Sequence, residues 1–247
     1  RDKLVTGVQT CALPIWQEDL EAIAQAVKAM HDALDPSNPL LFAMGDGNHS
    51  LATAKSCWMD IKQTLSGEAL QTHPARYALV ELENIFDPGL EFEPIHRVLF
   101  NLTKETFLQE IAKVCTSYIE KKVLSKEEVV AQINVNDGLQ KFGYCDADGC
   151  SVIVLQQPKA SIAAGTLQLV IDSLLAHKLA TVDYIHGVDV TANLGKKHGN
   201  IALILPDVSK ATFFDTIIKD NALPRKTFSM GEAHEKRYYM EARRIQN

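Results

Sequence analysis

Six consecutive residues, Gly45-Asp46-Gly47-Asn48-His49-Ser50, gather a carboxylate, a carboxamide, an imidazole and a hydroxyl into one short turn. Asp46 can accept a proton from an attacking hydroxyl, orient a donor or hold a metal. His49 can donate to a phosphate oxygen or bind a metal, and Ser50 can touch a phosphate or cap a helix. The turn follows Leu40-Leu41-Phe42-Ala43-Met44, an apolar run that reads as a short buried strand ending at Gly45. It precedes Leu51, Ala54, Lys55, Trp58, Ile61, Lys62 and Leu65, whose spacing is that of an amphipathic helix. A strand, a glycine turn and a helix start together present unpaired backbone N–H groups to an anion. The bland alternative is a plain strand-to-helix turn, with Asp46 and Ser50 as caps and His49 half-buried. The turn is not a P-loop, because the Gly-to-Gly-Lys spacing is absent.

Two further constellations are weaker taken singly. His96-Arg97 follows Pro94, and Arg97 can fork onto a phosphate or carboxylate with His96 donating beside it. The commoner role of such a pair on a strand is structural. Arg225-Lys226-Thr227 follows Leu223-Pro224 and sets two cations and a hydroxyl just past a loop, which suits an anionic substrate group. His49, His96, His186 and His198 are too scattered to define a metal site. A metal-dependent hydrolase built on Asp46 and His49 would therefore lack placed ligands. Lys236, Arg237, Arg243 and Arg244, and the acidic pairs Glu127-Glu128 and Glu232/Glu235, read as solvated surface.

The elements that must position these residues are legible as an α/β pattern. Leu20, Ile23, Ala24, Val27, Met30 and Leu34 keep helical spacing until Asp35-Pro36-Ser37-Asn38-Pro39 stops it. Tyr77 to Leu82 reads as a second strand, buried on both sides, and Glu93 to Phe100 follows the turn at Asp87-Pro88-Gly89. Thr103 can cap a helix running through Phe107, Ile111, Val114 and Ile119, and Ser125 another, with Glu128 as its capping-box partner. A hairpin spans Leu139 to Leu155, a helix Gly165 to Leu179, and strands Val182–Ile185 and Gly199–Leu205. Ser209 can cap a last helix reaching Lys219. The stretch from about 103 to 180 reads as a second lobe.

The chain has 247 residues, 46% of them hydrophobic, enough to bury a substantial core. No apolar run reaches the roughly 18 residues of a membrane span. The formal charge of −6 argues against nucleic acid as a general partner, although the segment 225–247 carries six Lys or Arg against three Asp or Glu. Five cysteines in no zinc pattern read as reduced thiols of a cytoplasmic protein. Cys145 and Cys150 flank a tight turn and read as ordinary strand cysteines, with a disulfide as the lesser alternative.

Taken in order, the three constellations resemble one family. Gly45-Asp46-Gly47-Asn48-His49-Ser50-Leu51-Ala52-Thr53-Ala54 resembles the A-D-G-H-H-R-x-x-x-A signature of the DUF1015 proteins. Leu90 through Pro94-Ile95-His96-Arg97-Val98 resembles their L-x-x-x-P-x-H-R-V segment, and Leu223-Pro224-Arg225-Lys226-Thr227-Phe228 their M-P-x-K-S-T segment. The resemblance covers Trp16 to Asn247. Residues 1–15 resemble translated sequencing-adapter read-through, so the native portion is expected to begin mid-sequence with an N-terminal part missing. DUF1015 is similar to the ParB/sulfiredoxin-like nucleotide-binding group, which includes free-serine kinases. The resemblance implies a partial nucleotide-binding core of that type, with added α/β elements and a β-hairpin. It implies ATP or ADP with Mg²⁺ as cofactors, and a nucleotide and a small molecule as partners. Asp46 and His49 would be catalytic, and Gly45, Gly47, Asn48, Ser50, His96, Arg97 and Lys226 would bind the cofactor. Two departures stand out: Asn48 occupies the place of the first family His, and Ser50 that of an Arg able to neutralise phosphate. The function implied is nucleotide-dependent phosphotransfer to a small hydroxylated metabolite, with an amino acid among the candidates. The alternative is a non-catalytic nucleotide-binding regulator.

Overall fold

Strands that read as near-continuous apolar runs need cover on both faces, and this sheet has it. The computed structural model describes residues 16–220 and 223–230. The chain divides into two units, Arg1–Ala43 and Met44–Asn247. The first carries helix α1 (Gln17–Asp32), which has no buried residue. Asp35 then turns the chain, its Oδ1 accepting from the Ser37 N–H at 2.8 Å, so the expected stop is present.

In the second unit the order is α2 (Asn48–Ile61), α3 (Gly67–Thr72), β1 (Phe92–Phe100), α4 (Lys104–Val114), β2 (Ser117–Val123), α5 (Lys126–Ile133), β3 (Gln140–Asp146) and β4 (Gly149–Gln156). Then come α6 (Ala163–Ala176), β5 (Thr181–His186), α7 (Val188–Gly195), β6 (Asn200–Ile204), α8 (Phe213–Asp220) and β7 (Phe228–Met230). The strands form one seven-stranded sheet in the order β2-β4-β3-β6-β1-β5, with β7 also on β1. Every pairing is antiparallel. No described helix is long and apolar enough to cross a membrane.

Alternation along each strand decides which helices a residue meets. Phe142, Tyr144, Ile153, Leu155, Ile201 and Leu203 join Phe107 and Ile111 of α4 and Leu167, Val170, Ile171 and Leu174 of α6 in one core. Their neighbours Cys145, Val152, Val154, Ala202 and Ile204 join Val129 and Ile133 of α5 and Ala192 of α7 in the other. Each fully buried aliphatic side chain contributes about 1.5–3 kcal/mol. Gly143 faces α5 so closely that a Cβ there would lie 2.2 Å from Val129 Cγ1.

Helix starts follow their caps. The Thr103 hydroxyl accepts from the Thr106 N–H at 3.3 Å, and the Ser125 hydroxyl from the Glu128 N–H at 3.3 Å. Glu128 returns an acceptor to the Leu124 N–H at 2.9 Å, one residue before the expected partner. The first of these helices ends at Val114, short of Ile119, because Ser117 to Val123 pair with β4 along their whole length.

Two expected strands are absent as strands. Leu40 to Met44 and Tyr77 to Leu82 are irregular, and Leu79, Val80 and Leu82 are exposed. A strand exists only through its ladder partner, and no described strand pairs with either run. The cysteine reading is also corrected. Cys145 and Cys150 form a disulfide, because the two-residue turn Ala147-Asp148 makes them direct cross-strand partners with Cα atoms 4.2 Å apart. Among the described residues Cys57 and Cys115 are free. The solvated-face expectations at Glu232, Glu235, Lys236, Arg237, Arg243 and Arg244 lie outside the described residues, as does 1–15.

Candidate functional site

Gly47 sets the geometry of the turn. It is the N-cap of α2 at φ 74° and ψ 19°, a left-handed conformation that a side chain would strain. The first helical bond runs from the Leu51 N–H to the Gly47 carbonyl at 2.9 Å. The N–H groups of Asn48, His49 and Ser50 therefore have no acceptor inside the helix, and a glycine cap brings no side chain to them. The positive end of the 14-residue helix dipole adds to their pull on an anion. Asp46 is set by the same turn, its Oδ1 accepting from the Gly47 N–H at 2.7 Å.

The helix start borders an open cavity of about 530 Å³ lined by His49, Ser50, Thr53, Ala54, Cys57, Ala75 and Tyr77. Five of these are one helical face, three and four residues apart, so the periodicity of α2 already contained them. Tyr77 and Ala75 come from a segment whose approach the sequence does not announce. That segment also brings acidic company. Loss of hydration, then the charges of Glu81 and Asp46, hold the Glu83 carboxyl above the usual carboxylate range. Among the described residues no group of three or more His, Cys, Asp or Glu could hold a metal ion.

The C-terminal segment reaches this loop through β7. Phe92, Phe213 and Phe228 pack together, with Phe92 and Phe228 stacked at 4.5 Å, and clamp β7 on the start of β1. Met230 then lies so close to Gly45 that a Cβ on Gly45 would meet its Cε at 2.8 Å. A side chain at Gly45 would have to displace the flexible end of Met230. At the other end of the segment the Thr227 carbonyl accepts from the Ile95 N–H at 3.2 Å, and Thr227 is buried. Lys226 is exposed at φ 59°.

His96 and Arg97 lie farther along β1, inside the sheet and 2% and 0% exposed. From Phe92, the partner of Met230, to Arg97 is five residues of extended chain, roughly 16 Å. Strand pairing thus joins β1, which carries His96 and Arg97, to the C-terminal segment whose Met230 meets Gly45. His96 Nδ1 accepts from the Leu205 N–H at 3.1 Å, which puts the proton of the neutral ring on Nε2. Burial first, then the Arg97 and His186 charges, lowers its pKa to about 4.

A mixed α/β chain with an antiparallel seven-stranded sheet and an anion-ready helix start defines the class. The chain belongs to the DUF1015 family, whose model, described as a protein of unknown function, matches residues 15–182. The segment from Leu223 to Phe228 lies beyond that match. Among solved structures the chain is similar to a mutant free serine kinase in complex with AMP, at a TM-score of 0.52 and 12% identity, over 88% of this chain and 82% of that one. It is similar also to another mutant free serine kinase, in complex with ADP, at 0.51 and 12%, again over 88% and 82%. At this identity the likeness is one of fold. No curated protein matches significantly.

Proposed function

We propose that this chain is a nucleotide-dependent phosphotransferase acting on a small hydroxylated metabolite. One observation carries the reading: an uncapped helix start at a left-handed glycine, bordering a cavity, in a fold shared with structures named as AMP- and ADP-bound kinases. The residues present fit a nucleotide phosphate, since the N–H groups of Asn48, His49 and Ser50 and the His49 ring supply donors. Asp46, held by its bond to Gly47, would take the proton of the attacking hydroxyl. ATP as substrate supplies the phosphoryl group, and Mg²⁺ would enter with it, bound to its phosphates.

A second reading, a nucleotide-binding regulator without transfer, is favoured by Ser50. It stands where the family signature has Arg, and lost cationic stabilisation weakens a transition state more than ground-state binding. Calorimetric titration with ATP and ADP plus Mg²⁺ tests what both readings share. Wild type should bind, and His49→Ala should bind at least about tenfold more weakly, the worth of one good hydrogen bond. Equal affinity in a folded His49→Ala variant would remove the His49 ring from the site. Binding without transfer to any hydroxylated acceptor would select the regulator.

A further inference from the structure

Arg97 is the most unusual side chain in the described sheet. It is fully buried, yet only Nη1 has a hydrogen-bond partner, the carbonyl of Ile95 on its own strand. Nε and Nη2 are buried without any acceptor. The Tyr184 ring lies 5.4 Å from the guanidinium carbon and offers only its π face. Burial brings the pKa down to about 10, so the group stays cationic at neutral pH. A buried cation with unmet donors is costly, and proteins normally satisfy such a group.

The two unmet nitrogens are adjacent and form one edge of the guanidinium fork, the edge that matches a two-oxygen anion. We propose that Arg97 is the receptor for an anionic group presenting two oxygens, carboxylate or phosphoryl, on a small ligand. It lies five residues along β1 from Phe92, the partner of Met230. The surroundings fit a site that opens. The Tyr184 hydroxyl reaches Gln168 Oε1 at only 3.5 Å, and Gln168 donates to Asp172 at 2.8 Å. Asp172 in turn pairs with Arg225 at 2.9 Å, where both side chains are more than half exposed. A chain of polar contacts thus runs from Tyr184, beside Arg97, to the surface, ending in the Leu223–Phe228 segment.

The test needs no nucleotide. The full chain is titrated calorimetrically with glycerate, L-serine and inorganic phosphate, as wild type, Arg97→Lys and Arg97→Met. Binding of a carboxylate probe that falls at least about tenfold in Arg97→Lys, which keeps the charge and loses the fork, supports the proposal. Loss in Arg97→Met supports it too, in a variant expected to melt at or above the wild-type temperature because the unmet charge is gone. Binding of phosphate alone with the same Arg97 dependence keeps the receptor and makes its ligand a phosphoryl group. No binding of any probe to wild type, or equal binding in both variants, overturns it. Failure here leaves the His49→Ala titration untouched, so the two readings fall separately.

Discussion

Replacing Asp46 by Asn should lower phosphoryl transfer by about 10²–10⁴-fold in a variant that still folds. The size follows from the role: a positioned general base contributes that much, and a carboxamide of the same shape cannot accept the proton. Asp46 is exposed and its Oδ1 accepts from the Gly47 N–H, a bond that the Asn carbonyl oxygen can also accept, so the turn should keep its shape. Nucleotide affinity should change little, since the N–H groups at 48–50 are kept. The assay is initial-rate transfer from ATP at saturating acceptor, with thermal denaturation alongside. Unchanged turnover in a folded variant would remove Asp46 from the chemistry.

Stability should fall by about 3 kcal/mol between pH 6.5 and pH 4 through His96 alone. The folded pKa is about 4 and the ordinary value 6.5, so below 6.5 the unfolded chain binds a proton that the folded chain refuses. The contribution is therefore present in full above pH 6.5, declines through the window, and levels off near pH 4. His96→Asn isolates it from other acid-sensitive groups, because the Asn carbonyl can still accept from the Leu205 N–H and does not titrate. Urea denaturation across the window should give a flatter profile for the variant by about that amount. Parallel profiles would mean that His96 charges in the folded chain.

What could be read from the sequence was whatever depends on local pattern. The hairpin, β6 and the capped starts of α4 and α5 follow from alternation, turn residues and caps that lie close together in the chain. What depends on partners was hidden. Leu40–Met44 and Tyr77–Leu82 have strand composition, but composition cannot show whether a neighbouring strand exists. Cys145 and Cys150 became a disulfide through a register that their spacing allowed without requiring. Within the site, the anion-ready turn at Gly47 was visible because its geometry is local. The approach of Met230 to Gly45 was not, and neither was the burial of Arg97, since arginine usually lies at the surface. The single clue to Arg97 was its place between Ile95 and Val98 on an apolar strand.

The central claim is that the N–H groups opening α2 hold nucleotide phosphate. Amide NMR of the isotope-labelled chain during titration with ADP and Mg²⁺ tests it most directly. The expected result is that the Asn48, His49 and Ser50 amides shift most, with downfield movement as they gain a charged acceptor. Saturable ADP binding that leaves those three unmoved while perturbing another region would contradict it.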